Sequence, residues 1–156
     1  MHAENTISIA ATPERVFAVA SDLAQWPTIL PHYRRIIYVK RSDSANTVMM
    51  SAWRVMPLIP GMKIPVRWTS EQDIDRQKME VRFRHLKSFT KGMQVVWTFA
   101  PAGKGTAVRI VHDLDSGIPV VGKLLIEPIV GNFFVHFIAN QTLKSMKAYL
   151  EVHHEQ

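Results

Sequence analysis

The stretch of sequence that decides the fold is residues 66–75, which read VRWTSEQDID. Every second side chain along it is uncharged, and most of the side chains between them are charged. This period of two is typical of a β-strand. The uncharged set shares one face and includes Trp68, Ser70 and Gln72. Because the charged set must meet solvent, we expect the uncharged face to be the inner face of a sheet.

Working outward, the same period recurs on both sides of this stretch. The predicted strands are residues 6–10, 36–41, 47–55, 66–75, 78–85, 92–101 and 106–115. Turn residues such as those at 75–77 and 101–105 join neighbouring strands over short distances. Short links favour hairpins, so we predict an antiparallel meander with strong curvature.

Alternation also predicts which side chains face inward. Inward positions include Phe83 and His85, Met93 and Trp97, and His112, whereas Arg67, Arg82 and Arg109 are expected to point outward. A largely apolar face with few polar groups is typical of a ligand pocket, and we expect a cavity of roughly several hundred Å³ or more. The alternative is a filled core in which each polar group has a backbone partner.

Helical signals occur at both ends of the chain. Thr12 and Pro13 are typical of a helix start, and Trp26-Pro27 is expected to end that short helix. A second helical turn is predicted to carry Tyr33. Residues 120–154 have helical composition, with Val135 on the apolar arc of the later half. A sheet with one apolar face needs a cover, so the fold class is α+β with this long helix over the sheet.

The bulk composition fits one soluble domain over residues 1–156. Hydrophobic residues make up 47% of the chain, and cysteine is absent, which excludes a thiolate metal site and a Cys nucleophile. The formal charge of +6 is spread along the chain without a basic run, so we expect no nucleic-acid binding. No secretion signal is visible, so a cytoplasmic location is expected.

If the protein is an enzyme, the candidates for proton transfer are Tyr33, Gln72 and His85, since no carboxylate pair lies on the predicted inner face. The ligand-binding residues predicted from the pattern are Trp53, Trp68, Ser70, Phe83, Met93, Trp97, His112, Phe133 and Phe137. No metal and no cofactor are expected, because the phosphate-binding and metal-binding motifs are absent.

Two apolar segments have no evident partner in the sequence. Residues 56–65 contain three prolines and a glycine among large apolar side chains, which predicts an irregular loop. Such a loop suits a pocket mouth, a partner contact or peripheral membrane contact, or else a small satellite core. The three phenylalanines at 133, 134 and 137 cannot all face one core, so both a monomer and a homodimer remain open.

The motifs together resemble a known group. They are the run ATPERVF at residues 11–17, SDL at 21–23, WP at 26–27, LPHY at 30–33, Trp68, GM and WTF at 92–99, and GT at 105–106. This pattern is similar, over essentially the whole chain, to the polyketide cyclase/dehydrase group of the START-like, helix-grip superfamily. The resemblance implies a seven-stranded sheet gripping a C-terminal helix around a deep apolar cavity. Trp26, Tyr33, Trp68 and Trp97 match aromatic pocket positions of the group.

The resemblance implies a polyketide-like substrate, with an acyl carrier protein as a candidate for its delivery. One position departs from the group, because Gln72 stands where first-ring aromatase/cyclases typically have an arginine. Coenzyme-Q-binding chaperones share Val16-Phe17 and the segment from Trp26 to Pro31, and they bind without turnover. We therefore expect a cyclase-type enzyme, with a lipid or quinone carrier as the alternative.

Overall fold

The computed structural model describes residues 1–56, 59–88, 90–115, 124 and 131–153, with the backbone alone for 131–134. In these residues seven antiparallel strands form one sheet in the order β1-β7-β6-β5-β4-β3-β2. The strands are β1 His2–Ile9, β2 Tyr33–Lys40, β3 Ala45–Val55, β4 Lys63–Asp75, β5 Glu80–His85, β6 Gln94–Ala102 and β7 Gly105–Asp113. The predicted meander is confirmed, and β1 adds to its far end by pairing with β7.

Two short helices connect β1 to β2, as the sequence predicts. The first, α1, is Pro13–Ser21, and the Thr12 hydroxyl accepts a hydrogen bond from the Arg15 amide. A 3₁₀ turn, Leu23–Gln25, leads into α2, Trp26–Ile29. The expectation that Trp26-Pro27 ends a helix was wrong: Pro27 stands in the first turn of α2, where its missing N–H is not needed. Tyr33 was also misplaced, since it is the first residue of β2.

The C-terminal helix covers the concave face of the sheet. Its described part has a π-helical segment, Gly131–Ala139, followed by the α-helix α3, Asn140–Val152. The predicted apolar arc is confirmed, because Val135, Met146 and Leu150 are all 0% exposed. Of the predicted helical residues 120–130, only Leu124 lies within the described residues. None of the described helices is long and apolar enough to cross a membrane.

The segment 56–65 is partly regular. The Met56 amide donates to the Met62 carbonyl oxygen over 2.9 Å, which closes a loop whose residues 57 and 58 lie outside the described part. Residues 63–65, which we expected to be irregular, belong to β4. Strand β5 pairs with β4 only from Ser70 onward, so this part of β4 is an edge, where Pro65 is tolerated.

Candidate functional site

A small cavity lies between the concave face and the C-terminal helix. The side chains around it are mostly aromatic or apolar: Trp26, Tyr33, Met50, Trp68, Phe83, His85, Val95, Trp97, Ile110, His112, Ile138, Ala139 and Thr142. The space open to solvent there is about 50 Å³. The position of the cavity agrees with the prediction, but the expected volume of several hundred Å³ was wrong for the described residues, because large side chains fill the space.

Trp26 is the centre of the aromatic packing. Its ring centroid lies 5.0 Å from that of Tyr33, 5.8 Å from that of Trp97 and 6.5 Å from that of Phe83. Its indole N–H donates to the Val19 carbonyl oxygen over 3.0 Å, so the ring is held by α1 as well as by the sheet. Aromatic pairs in tilted or edge-on contact stabilise one another beyond their buried area. The cluster therefore forms one wall of the cavity.

His85 is held in one orientation on β5. Its Nδ1 lies 2.8 Å from the hydroxyl oxygen of Thr90, which is itself 0% exposed. Its ring is parallel to that of Trp68, with a 6° angle between the planes and 6.2 Å between the centroids. Burial, with a smaller contribution from the nearby His112, lowers the pKa of His85 to about 3. His85 is therefore a neutral imidazole at physiological pH.

His112 lies on the same face two strands away, on β7. It is 5% exposed, and its Nδ1 has no hydrogen-bond partner among the described residues. Burial lowers the pKa of His112 to about 4, against an opposing effect of Asp113. The cavity is thus lined by two neutral imidazoles, each of which combines a donor nitrogen with an acceptor nitrogen.

Sequence reasoning missed a third polar cluster, where α3 meets the start of β2. The Thr142 hydroxyl donates to the Ile138 carbonyl oxygen over 2.7 Å and lies 2.9 Å from Nε2 of His32. Because the Thr142 proton is used, His32 must donate through Nε2. Tyr33 also hydrogen-bonds to Thr142, and burial raises the pKa of this phenol. Tyr33 therefore stays protonated, as a hydrogen-bond donor in the cavity wall.

Gln72 does not reach the cavity. Its Oε1 accepts from the Asn46 amide and its Nε2 donates to the Ser21 carbonyl oxygen, both over 2.9 Å. The residue is 1% exposed, and its amide is used at both ends by groups of the protein. These two bonds give Gln72 a structural position, and the structure does not bring it to His85, another of the predicted proton-transfer residues.

Trp53 is also outside the cavity. On β3 the inward residues are Val48, Met50 and Ala52, so Trp53 projects from the convex face. The Arg34 guanidinium carbon lies 4.5 Å above its ring centre. The expectation that Trp53 lines the pocket was therefore wrong. Both faces of this strand carry apolar side chains, so alternation alone leaves the choice of face open.

The remaining predicted residues have mixed positions. Ser70 and Met93 are each 0% exposed but do not contribute to the cavity surface. Phe137 is half-buried against the core, and the side chain of Phe133 lies outside the described part. The outward positions of Arg67, Arg82 and Arg109 are confirmed, since all three are exposed. The described residues contain no cluster of three or more His, Asp or Glu side chains that could hold a metal.

The sequence and the fold both match known proteins. The profile of the family described as polyketide cyclase/dehydrase and lipid transport matches residues 1–151. A protein of Streptomyces cyaneus that carries the name polyketide cyclase is 31% identical over 114 residues, which are 72% of this chain and 71% of that protein.

Two solved structures show the same fold. A protein from Thermus thermophilus aligns with a TM-score of 0.75 at 24% identity, over 97% of this chain and 98% of its own. The Zhui aromatase/cyclase from a Streptomyces species aligns with a TM-score of 0.74 at 17% identity, over 97% of this chain and 93% of its own. Because the family profile matches nearly the whole chain, the chain belongs to the polyketide cyclase/dehydrase and lipid transport family.

Proposed function

We propose that the protein binds an apolar, ring-forming molecule of polyketide type at the concave face and steers its ring closure or dehydration. Family membership and the relative named as a polyketide cyclase support this substrate class. The aromatic wall around Trp26 and Trp97 offers flat surfaces for a planar ligand. An acyl carrier protein is the candidate for delivering the substrate.

The observation that carries the proposal is the presence of two neutral histidines in one aromatic cavity. A neutral imidazole can accept a proton at one nitrogen and donate one from the other. In a ring closure, one histidine takes a proton from a methylene between two carbonyls, and the resulting enolate carbon attacks a second carbonyl. The imidazolium formed in the first step then returns its proton to the alkoxide oxygen, while the N–H of the other histidine donates a hydrogen bond to that oxygen. Protons balance in this scheme, and no redox partner is needed.

Because the pKa values of His85 and His112 are low, these two bases suit only a substrate with an acidic C–H bond. A base of pKa about 3 or 4 is weak, so it is effective where the C–H bond is already activated by neighbouring carbonyls. Poly-β-keto chains meet this condition. Tyr33 contributes its ring to the same wall, because its O–H is used in the hydrogen bond to Thr142.

Substrate entry requires the cavity to open. About 50 Å³ of space is far below the roughly 300 Å³ at the lower end of ligand pockets. The π-helical residues Ile138 and Ala139 form the helix side of the cavity, and π-helical turns often occur at functional sites. We expect this segment to move away from the sheet when a ligand binds.

The test is the product profile of His85→Leu and His112→Leu, each incubated with a poly-β-keto chain made in the same reaction by a minimal polyketide synthase. Loss of one acid–base group should lower the rate of the directed cyclisation by about 10²–10⁴-fold. His2→Gln, at an exposed histidine, is the control. Unchanged product profiles in both leucine variants would remove the two histidines from the mechanism.

A carrier function is the second candidate. No carboxylate lines the cavity among the described residues, and the family description also names lipid transport. A carrier would bind a non-reactive aromatic analogue equally well after His85→Leu, and it would show no turnover to lose. Ala139→Phe, which fills the cavity, would abolish binding in both cases and so serves as the control for location.

A further inference from the structure

A row of three polar residues crosses the convex face of the sheet. Arg35 on β2 lies directly opposite Ser51 on β3, and Ser51 lies directly opposite Arg67 on β4. Directly opposite residues on antiparallel strands are close neighbours, with Cβ atoms about 4.5–5.5 Å apart. Ser51 is therefore flanked by two arginines on the same face.

The Ser51 side chain is buried without a partner. Only 8% of the residue is exposed, and its hydroxyl oxygen has no hydrogen bond among the described residues. It contributes to the floor of a groove of about 300 Å³. Buried hydroxyls without a partner are uncommon in folded proteins, and one at the base of a groove points to a missing polar ligand.

The groove is positively charged. Arg34 and Lys87 belong to its rim, in addition to Arg35 and Arg67. None of these four cations forms an ion pair with a described residue. Elsewhere on the same face, Arg84 pairs with Glu71 and Arg109 with Glu4. Four cations without an ion pair among the described residues therefore lie around Ser51, where they would attract an anion.

The next row of the sheet contains two apolar residues. Ile37 lies opposite Met49, and Met49 lies opposite Thr69. Ile37 is 36% exposed and Met49 is 44% exposed, and both line the groove. A ligand that fits has an anionic group at one end and an apolar body at the other. A second copy of the chain fits poorly, because a two-fold contact here would bring cations against cations.

We propose that this convex groove is a second binding site, for a free anionic amphiphile with a carboxylate or phosphate head. The head lies between Arg35 and Arg67 and accepts a hydrogen bond from the Ser51 hydroxyl. The apolar chain lies along Ile37 and Met49. The groove residues Ser51 and Arg67 lie on the opposite face of the sheet from the concave cavity, and Met50 and Trp68 contribute to the lining of both. The proposed site does not depend on the function proposed for the cavity.

The experiment is calorimetric titration of the full chain with decanoate and with decyl phosphate, both below their micelle concentrations. Ser51→Ala should weaken binding about tenfold, because it removes one hydrogen bond to a charged group. Arg35→Gln combined with Arg67→Gln should weaken it by about a hundredfold or more, and added salt should weaken the wild type. Arg109→Gln, at a paired arginine on the same face, should bind as the wild type does.

Three results would overturn the proposal. Unchanged affinity in Ser51→Ala and in the double arginine variant would place the amphiphile elsewhere, for example in the concave cavity. Equal affinity for acetate and decanoate would show that the apolar row makes no contact. Binding to phosphatidylserine vesicles without binding to the free amphiphiles would make this face a membrane-contact surface instead.

Discussion

Gln72 donates from its side-chain amide to the carbonyl oxygen of Ser21 over 2.9 Å, which joins the C-terminal part of β4 to the last residue of α1. The last carbonyls of a helix have no partner within the helix, so this bond satisfies one of them. Because Asn46 donates to the other end of the same amide, β3, β4 and α1 are joined through a single side chain.

Gln72→Leu is therefore expected to act on stability. It leaves the Asn46 amide and the Ser21 carbonyl without their partner, and the free energy of unfolding should fall by about 2–4 kcal/mol. Urea denaturation measures the loss. Gln77→Leu, in the exposed turn between β4 and β5, should change stability little. Equal midpoints for the two variants would show that the amide bridge is not formed in solution.

The two faces of the sheet can be compared through two tryptophans. Trp97 is 5% exposed in the aromatic cluster, so Trp97→Ala should cost about 3–5 kcal/mol of stability. Trp53 is half-buried on the convex face under Arg34, and Trp53→Ala should cost about 1 kcal/mol. Denaturant unfolding of both variants measures the difference. A larger loss for Trp53→Ala would reverse the assignment of the faces.

The start of β7 has no room for a side chain. A Cβ atom on Gly105 would overlap the carbonyl oxygen of Ile9, a backbone atom that cannot move without breaking the pairing of β1 with β7. We expect Gly105→Ala to cost about 3 kcal/mol. Gly103→Ala, where φ is +57° and space is open, should cost about 1 kcal/mol. Thermal unfolding at matched pH compares them, and equal losses would contradict the close approach.

Acid should destabilise the fold through its buried histidines. The folded-state pKa is about 3 for His85 and about 4 for His112, below the ordinary 6.5, so the unfolded chain binds more protons between those values. Stability is expected to be flat above pH 7 and to fall below 6.5, by about 2 kcal/mol for each histidine at pH 5. Urea midpoints at pH 7, 6 and 5 test this.

His112→Leu provides the matched comparison for the pH dependence. The variant should lose about 2 kcal/mol less than the wild type between pH 7 and pH 5, because its share of the proton uptake is gone. His2→Gln should not reduce the loss, since hydrogen bonding to Asp113 raises the pKa of His2 and its effect has the opposite sign. If the stability of His112→Leu falls with pH as steeply as that of the wild type, the side chain of His112 is exposed to water.

The strands and their inner faces could be predicted because burial imposes a period of two on the sequence. Trp68, Phe83, Trp97 and His112 are all inward, as their alternation indicates. Trp53 was misassigned because β3 carries apolar residues on both faces, including Met49 and Met50. The role of Gln72 depends on the register between β3 and β4, which places Asn46 opposite it and is not visible in either strand alone.

The polar cluster of His32, Thr142 and Tyr33 could not be found from sequence for a related reason. His32 and Thr142 are 110 positions apart, and only the docking of the C-terminal helix brings them together. The volume of the cavity could not be predicted from sequence either, since alternation indicates which side chains face inward but not how closely they pack.

The position of β1 beside β7 has a consequence for biosynthesis. The first strand of this sheet to be synthesised pairs only with the last one, with His2 opposite Asp113. Pairing over so many residues is slow, and it cannot begin until that distant partner has been made. At a synthesis rate of roughly 5–20 residues per second, β1 stays unpaired for seconds. Chaperone binding to the nascent chain is therefore expected to be strongest before β7 emerges.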